Sequence, residues 1–367
     1  MTSGLLRIVD QGMLSHDTSR GAYMPSITSL DDGTWIACQH VGRELASADN
    51  RIEVLRSRDG KEWQNQGCVH AIDDSWAYRG PDIEPLPDGR LVMTVTRFEV
   101  TDAALFDPDS EGLQRPEMLL FWSTDRGASW SPPQIVPVDL PPEKYTWNKA
   151  GRLIQCSQSR WLYPFETWKP DAYDGPPDQK AAAVVSSDQG KTWGELTVMA
   201  DDSDGKLLWW DQMNAQLPDG RLFVMLWTHR YGTKEDLDVH GITSDDGGRT
   251  WSEPQPTNLP GQVCCPIALP DGRLAAIYNH RAAPQGIRVA LSEDLSSFDR
   301  EREVVVFDAG AEATFGQTDH ENFLAEHMLI AFGKPQGICL ADGTLLTFFW
   351  CTSQGVTHTR WVRLSVD

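Results

Sequence analysis

The chain has 367 residues, 40% hydrophobic and 23% charged, with 53 acidic residues against 32 basic ones and a formal net charge of −21. That is globular composition with material for a large core, and its acidic balance excludes the basic footprint that a nucleic acid or an anionic membrane needs. No apolar run reaches the roughly 18 residues of a spanning helix, and the start, MTSGLLRIVDQG, has neither the basic nor the apolar segment of an export signal. The seven cysteines, which include the pair Cys264–Cys265, form neither a disulfide framework nor CxxC spacing. The expectation is a reduced, cytoplasmic protein that uses cysteines as small core residues.

The first β-rich run, LLRIVD (5–10), stands alone. From there the chain alternates two signals. The turns LDDGT (30–34), LPDGR (86–90), LPDGR (217–221), LPDGR (269–273) and LADGT (340–344) each sit between apolar, β-rich runs such as RLVMTVTRF (90–98), RLFVMLWTH (221–229) and TLLTFFW (344–350). Asp-Gly in that setting marks a hairpin, because glycine supplies the positive φ of the tight turn. A further hairpin fits RLIQCSQSRWLYPF (152–165), with SQS in place of Asp-Gly. In step with the turns come STDRGASW (123–130), SSDQGKTW (186–193) and SDDGGRTW (244–251), all Ser-x-Asp-x-Gly-x-x-Trp. Two variants flank them, SRDGKEW (57–63) and SEDLSSF (292–298).

Each unit therefore reads strand, xDG turn, strand, loop, strand, box, strand. The last unit lacks a box and ends on THTRWVRLSV (357–366), so the N-terminal LLRIVD supplies its fourth strand. The predicted fold is all-β: a six-bladed propeller of four antiparallel strands per blade, closed by pairing the N-terminal strand with the last blade, in one domain spanning 1–367. In the box the Asp accepts hydrogen bonds from turn amides, the Ser ties the turn to the preceding strand, and the Trp buries its ring against the neighbouring hairpin. Asp59, Asp125, Asp188 and Asp246 are thus read as structural; one carboxylate per box is a poor metal site.

These are the Asp-boxes of the sialidase superfamily, which the chain resembles over nearly its whole length. The resemblance implies a six-bladed propeller and a carbohydrate-directed site. Sialidases hold the substrate carboxylate with three arginines and use a tyrosine nucleophile activated by a glutamate, with an aspartate as acid/base. Here Tyr23, in YMP, stands where the first arginine is expected. Counting back from the turn glycines, Asp211 falls at the activating glutamate's position and Lys334 at the nucleophile's. The chain thus resembles sialidases in fold without a clear sialidase site.

Topology puts the xDG turns and boxes on one face of the disc, and the openings of the inner strands on the other, around the central channel. That second face collects Tyr23, His40 and Arg43 from blade one, and Arg79, Asp82, Glu84 and Arg97 from blade two. Blade three adds Trp147, Asn148, Lys149, Glu166 and Trp168; blade four adds Trp210, Asp211, His229 and Arg230. Asn279, His280 and Arg281 come from blade five, and His320, Glu321, Lys334 and Gln336 from blade six. Aromatic rings stack on pyranose faces, arginines grip carboxylates, and paired carboxyls divide acid and base work. Asp82 and Glu84 alternate with Ile83 and so face the channel together, either as a buried ion-pair network or as an acid with a raised pKa.

The reading is a glycoside hydrolase for a small, acidic oligosaccharide or glycoside, with Asp211 as base or nucleophile and Asp82 or Glu84 as acid. The alternatives are a uronic-acid lyase or His-dependent glycosidase using His280 or His229 with Tyr23, and a non-catalytic sugar-binding propeller. HENFLAEH (320–327) is not a zinc motif, and no phosphate loop or dinucleotide fingerprint occurs, so no cofactor is expected. A carbohydrate is the expected partner, with self-association left open.

Overall fold

The computed structural model describes residues 5–71, 74–107, 110–157, 159–313 and 330–367. The expected inner residues His320 and Glu321 lie outside them. Six antiparallel sheets follow one another round a ring. Blade one comprises Gly21–Ser29, Trp35–Gly42, Arg51–Ser57 and Gln64–Cys68; blade two comprises Trp76–Pro85, Leu91–Glu99, Glu117–Ser123 and Gln134–Val136. In blade three the inner strand is broken into Thr146–Lys149 and Ile154–Gln155, followed by Trp161–Trp168, Ala181–Ser186 and Glu195–Ala200. Blade four is Leu207–Gln216, Leu222–Arg230, His240–Ser244 and Gln255–Pro256; blade five is Cys264–Ala268, Leu274–His280, Gly286–Ser292 and Val304–Asp308. Blade six takes Phe332–Cys339, Leu345–Ser353 and Val356–Val366 from the C-terminal end and Leu6–Ser15 from the N-terminal end.

The closing pair runs antiparallel from Leu6 opposite Val366 to Ser15 opposite Thr359. Ser15 and Thr359 both donate to the Gln39 side chain, at 3.0 and 2.6 Å, which ties the closed blade to blade one. Apolar clusters fill the gaps between blades. One joins Ile36, Cys38, Ile52 and Val54 of blade one to Ile83, Leu91, Met93 and Leu119 of blade two. No helix among the described residues is long and apolar enough to cross a membrane.

The boxes act as local clamps. In blade three, Ser186 donates to Asp188 at 2.9 Å, Asp188 accepts the Thr192 amide at 2.8 Å, and Ser186 Oγ accepts the Gly190 amide at 2.8 Å. Hydroxyl and amide donors hold the Asp59, Asp125 and Asp188 carboxyls down to about 2. The box glycine is required by space as well as by φ: a Cβ on Gly248 of blade four would lie 2.4 Å from Leu162 of blade three. The box tryptophans are less enclosed than the sequence suggests. Trp63, Trp130, Trp193 and Trp251 are half-buried, each laid over the edge of an inter-blade cluster.

Four inner strands carry a bulge at the same place, between Tyr23 and Ser26, Arg79 and Asp82, Trp210 and Met213, and Gly333 and Gln336. The bulged residues Met24, Gly80, Asp211 and Lys334 have φ of 47°, 58°, 47° and 45°. Proline follows three of them, and its missing N–H cannot continue the ladder. A left-handed aspartate or lysine in a strand is strained, and such strain gathers where a side chain must be re-aimed.

Removing residues 1–15 deletes the closing strand with the buried Leu6 and Leu14, a loss of at least about 4 kcal/mol at about 2 kcal/mol for each leucine. Because closure couples the blades, calorimetry should show one whole-protein transition at a lower temperature. A separate small early transition, with the main one unmoved, would refute that coupling. Trp193→Ala uncovers Tyr163, whose ring it meets at 6.0 Å, and should cost about 2–3 kcal/mol in denaturant unfolding, below a full core truncation because the ring is half-exposed.

Candidate functional site

The bulged openings of the inner strands surround a cleft of about 840 Å³, counting its open mouth, at the top of the central channel. Its polar lining is Arg79, Asn148, Glu166, Asp211, Asn279, Arg281 and Lys334, and its walls include Trp168, Trp210, Trp227 and Trp350. Lys334 of blade six donates to Asp211 of blade four at 2.9 Å, so two of the three left-handed non-glycine bulges are joined across the channel.

Glu166, two residues before the end of blade three's second strand, completes this centre. It accepts the Asp211 backbone N–H at 2.6 Å, the Trp168 indole at 2.9 Å and the Asn148 amide at 3.1 Å. Burial, and secondly the charge of Asp211, push its carboxyl up to about 7 despite those donors. Burial works against the Lys334 charge, but the carboxylates of Asp211 and Asp82 outweigh it and raise the ammonium's pKa. Burial pulls Arg79 down to about 10 and Arg281 to about 9. No hydrogen bond holds the Arg79 guanidinium among the described residues, and its Nε is buried. The Asn279 amide is likewise buried without a partner.

Below the cleft the channel is closed by charge. Asp82, 1% exposed, pairs with Lys149 and accepts from Gln336 at 2.7 Å, joining blades two, three and six. One step further down, Glu84 pairs with Arg152. Burial lowers the Lys149 pKa and raises that of Glu84, each opposed by its partner. Asp82 and Glu84 do face the channel together, but as a plug beneath the cleft rather than as part of its lining. Neither is placed to protonate a ligand there, which corrects the expected acid.

Of the expected residues, Arg79, Asn148, Glu166, Trp168, Trp210, Asp211, Asn279, Arg281 and Lys334 meet in the cleft, and the other described ones stand back from it. Tyr23 and His40 stack on each other at 5.2 Å, and burial keeps His40 neutral. Arg43 is exposed beside Asp49, and Arg230 pairs with Glu235 on the surface. Arg97 pairs with Glu117 and lies over Trp76. Trp147 packs into an inter-blade core under Arg115. Gln336 serves the Asp82 plug. His229 bonds Asp236 and the Thr233 carbonyl behind Trp210, and His280 bonds the Pro284 carbonyl. Neither histidine lines the cleft, so the His-dependent chemistry expected of them lacks its geometry.

The reading of inner-strand openings and second-strand ends missed Trp227 and Trp350, each three residues before the end of a second strand, and Phe106 and Leu113, which blade two's long loop carries over. The alternating apolar pattern of RLFVMLWTH held a signal for Trp227, since its register partner is Trp210. No comparable signal marked Phe106.

The BNR repeat-like domain family matches residues 87–315, well over half of the chain. No curated protein sequence matches it. Among solved structures, a protein of unknown function from Dyadobacter fermentans superposes with a TM-score of 0.75 at 20% identity, covering 99% of each chain. A leech intramolecular trans-sialidase gives 0.64 at 14% identity, over 94% of this chain and 68% of its own. An α-L-arabinanase from Penicillium chrysogenum, solved with arabinobiose, gives 0.66 at 13% identity, over 100% of this chain and 99% of its own. At such identities the likeness is one of fold, and the fold is that of sialidases and arabinan-degrading enzymes. Repeat, blade count and closure agree: the chain belongs to the BNR repeat-like domain family and folds as a six-bladed propeller.

Proposed function

We propose that the chain is a glycoside hydrolase for a small acidic glycoside, with Asp211 as nucleophile or base and Glu166 as proton donor. The observation that carries the reading is the joint position of these two carboxyls. Asp211 is ion-paired with Lys334, while Glu166, touching the same bulge, is poised near neutrality. Two carboxyls in different environments are what glycosidic cleavage asks for. The Glu166 proton goes to the leaving oxygen as the glycosidic bond breaks. The Asp211 carboxylate attacks the anomeric carbon or takes a proton from the attacking water. Trp168 and Trp210, stacked at 5.7 Å, offer apolar surface to a sugar ring. Arg79 and Arg281 supply positive charge for an acidic substituent, in a protein that is otherwise strongly acidic.

A second reading draws on the same cations. Arg79, Arg281 and Lys334 around one carboxylate would also stabilise an enolate, as in β-elimination from a uronic acid with Asp211 as base. Incubation with 4-methylumbelliferyl glycosides of acidic and neutral sugars, and separately with uronate oligosaccharides, separates the two. Released fluorophore supports hydrolysis; ultraviolet absorbance from a new conjugated double bond supports the lyase. Saturable binding with neither product would replace both with a sugar-binding propeller.

Asp211→Asn keeps the shape and removes the charge, and should lower turnover at least about a hundredfold for every leaving group. Glu166→Gln should cause a similar loss on poor leaving groups and a much smaller one on aryl glycosides, which need little protonation. Near-normal rates in either variant would remove that residue from the chemistry.

The pH dependence has a definite sign. The folded pKa of Glu166 lies above the unfolded value, so between about 4.5 and about 7 the folded state holds a proton that the unfolded chain has lost. Its contribution to stability is therefore fully present below about 4.5 and is lost as pH rises through about 7. Hydrolysis should fall along an alkaline limb near pH 7, and the stability slope between those values should flatten in Glu166→Gln. Calorimetry across the range reads the second effect without a substrate.

A further inference from the structure

We propose that Asp236, outside the cleft, is a positioning residue that holds the cleft's cationic wall and its aromatic wall in one register through a single carboxylate. Asp236 sits in the loop after blade four's second strand. Its backbone is fastened to that strand by a bridge to His229, by the Leu237 amide donating to Thr228 at 2.9 Å, and by the Arg230 amide donating to Glu235 at 3.0 Å.

One arm leads to Arg281. Asp236 Oδ2 accepts from the Gln262 amide nitrogen at 2.9 Å, and the Gln262 oxygen accepts from Arg281 Nε at 2.8 Å. Arg281 also donates to the Phe332 carbonyl at 3.0 Å and lies 4.2 Å over the Phe332 ring, so its plane is set from two sides. Gln262 is fully buried, which leaves its amide no solvent to turn towards.

The other arm leads to Trp210. Asp236 Oδ1 accepts from the Trp227 indole at 2.7 Å and bonds His229 Nδ1 at 2.9 Å. Trp227 packs against Trp210 at 4.8 Å, and His229 stacks on its face at 5.2 Å. Trp210 in turn stacks on Trp168, whose indole holds Glu166.

The relay has a direction that only a carboxylate at 236 enforces. A guanidinium only donates and an ionised carboxylate only accepts, so the amide between them has one satisfied orientation, nitrogen to Asp236 and oxygen to Arg281. In Asp236→Asn the remaining oxygen can still serve Trp227 and His229. The new NH2 then faces Gln262, which must reverse and set its own NH2 against the Arg281 N–H. The substitution therefore breaks the cationic arm and spares the aromatic one.

The test uses the full chain and follows solvent exchange of the Arg281 Nε–H and the Trp227 indole N–H by 15N NMR, with the Arg152 Nε–H as internal control. In Asp236→Asn, exchange at Arg281 should rise at least tenfold with Trp227 little changed. Gln262→Met should reproduce that pattern, whereas Asp236→Ala should raise both. Unchanged Arg281 exchange in Asp236→Asn and Gln262→Met overturns the proposal, as does a uniform rise that includes Arg152. If Asp236→Ala does not fold, the other two variants still decide. These readouts need no substrate. A kinetic consequence rests on the hydrolase reading: KM for an acidic aryl glycoside should rise at least tenfold in Asp236→Asn with kcat nearly kept. A broken relay in an inactive protein would sink the hydrolase reading and leave this one standing.

Discussion

Ring closure is the constraint on which the rest of the molecule depends. Once Leu6–Ser15 pairs with Val356–Val366, six inner strands must share one axis, and residues far apart in the chain become neighbours across a narrow channel. Asp82 then meets Gln336 and Lys149, and Asp211 meets Lys334. Buried charges are tolerated only when paired, and the channel obeys that rule below the cleft, where Asp82 and Glu84 each have a cation.

The mouth of the channel departs from the rule. Arg79 has no hydrogen-bonded partner among the described residues, the Asn279 amide is buried without one, and Glu166 is raised towards neutrality. Strain gathers at the same level, in the left-handed Asp211 and Lys334. Left-handed bulges, a buried guanidinium held by no hydrogen bond among the described residues and a carboxyl raised towards neutrality, all converging on one cleft, are the signature of a site arranged for a ligand. In the proposed reading, the backbone bulge aims Asp211 at the sugar, and the Asp211 N–H fixes the neighbouring acid.

The two carboxyl pairs show how far local pattern reaches. Asp82 and Glu84 were visible as inward-facing because strand alternation needs only adjacent residues. Whether they act or merely pair depends on Lys149, Arg152 and Gln336, which come from other blades. Glu166 lies two residues before the end of a second strand, and nothing local to it announces a raised pKa. That shift comes from burial and from Asp211, 45 residues away in sequence.

The sequence by itself determined the repeat, the blade count and the closing partner, because turns, boxes and strand alternation are interactions between near neighbours that recur in every blade. It also placed Asp211, Arg79 and Lys334 on inner strands and Arg281 just past a second strand, since position along a blade is a local property. Only the tertiary structure decided which of the charged residues on that face share a cleft, which lock one another away beneath it, and which carboxyl holds a proton near neutral pH. Those outcomes depend on distances between blades and on the solvent excluded when the ring closes, and no stretch of the chain contains either.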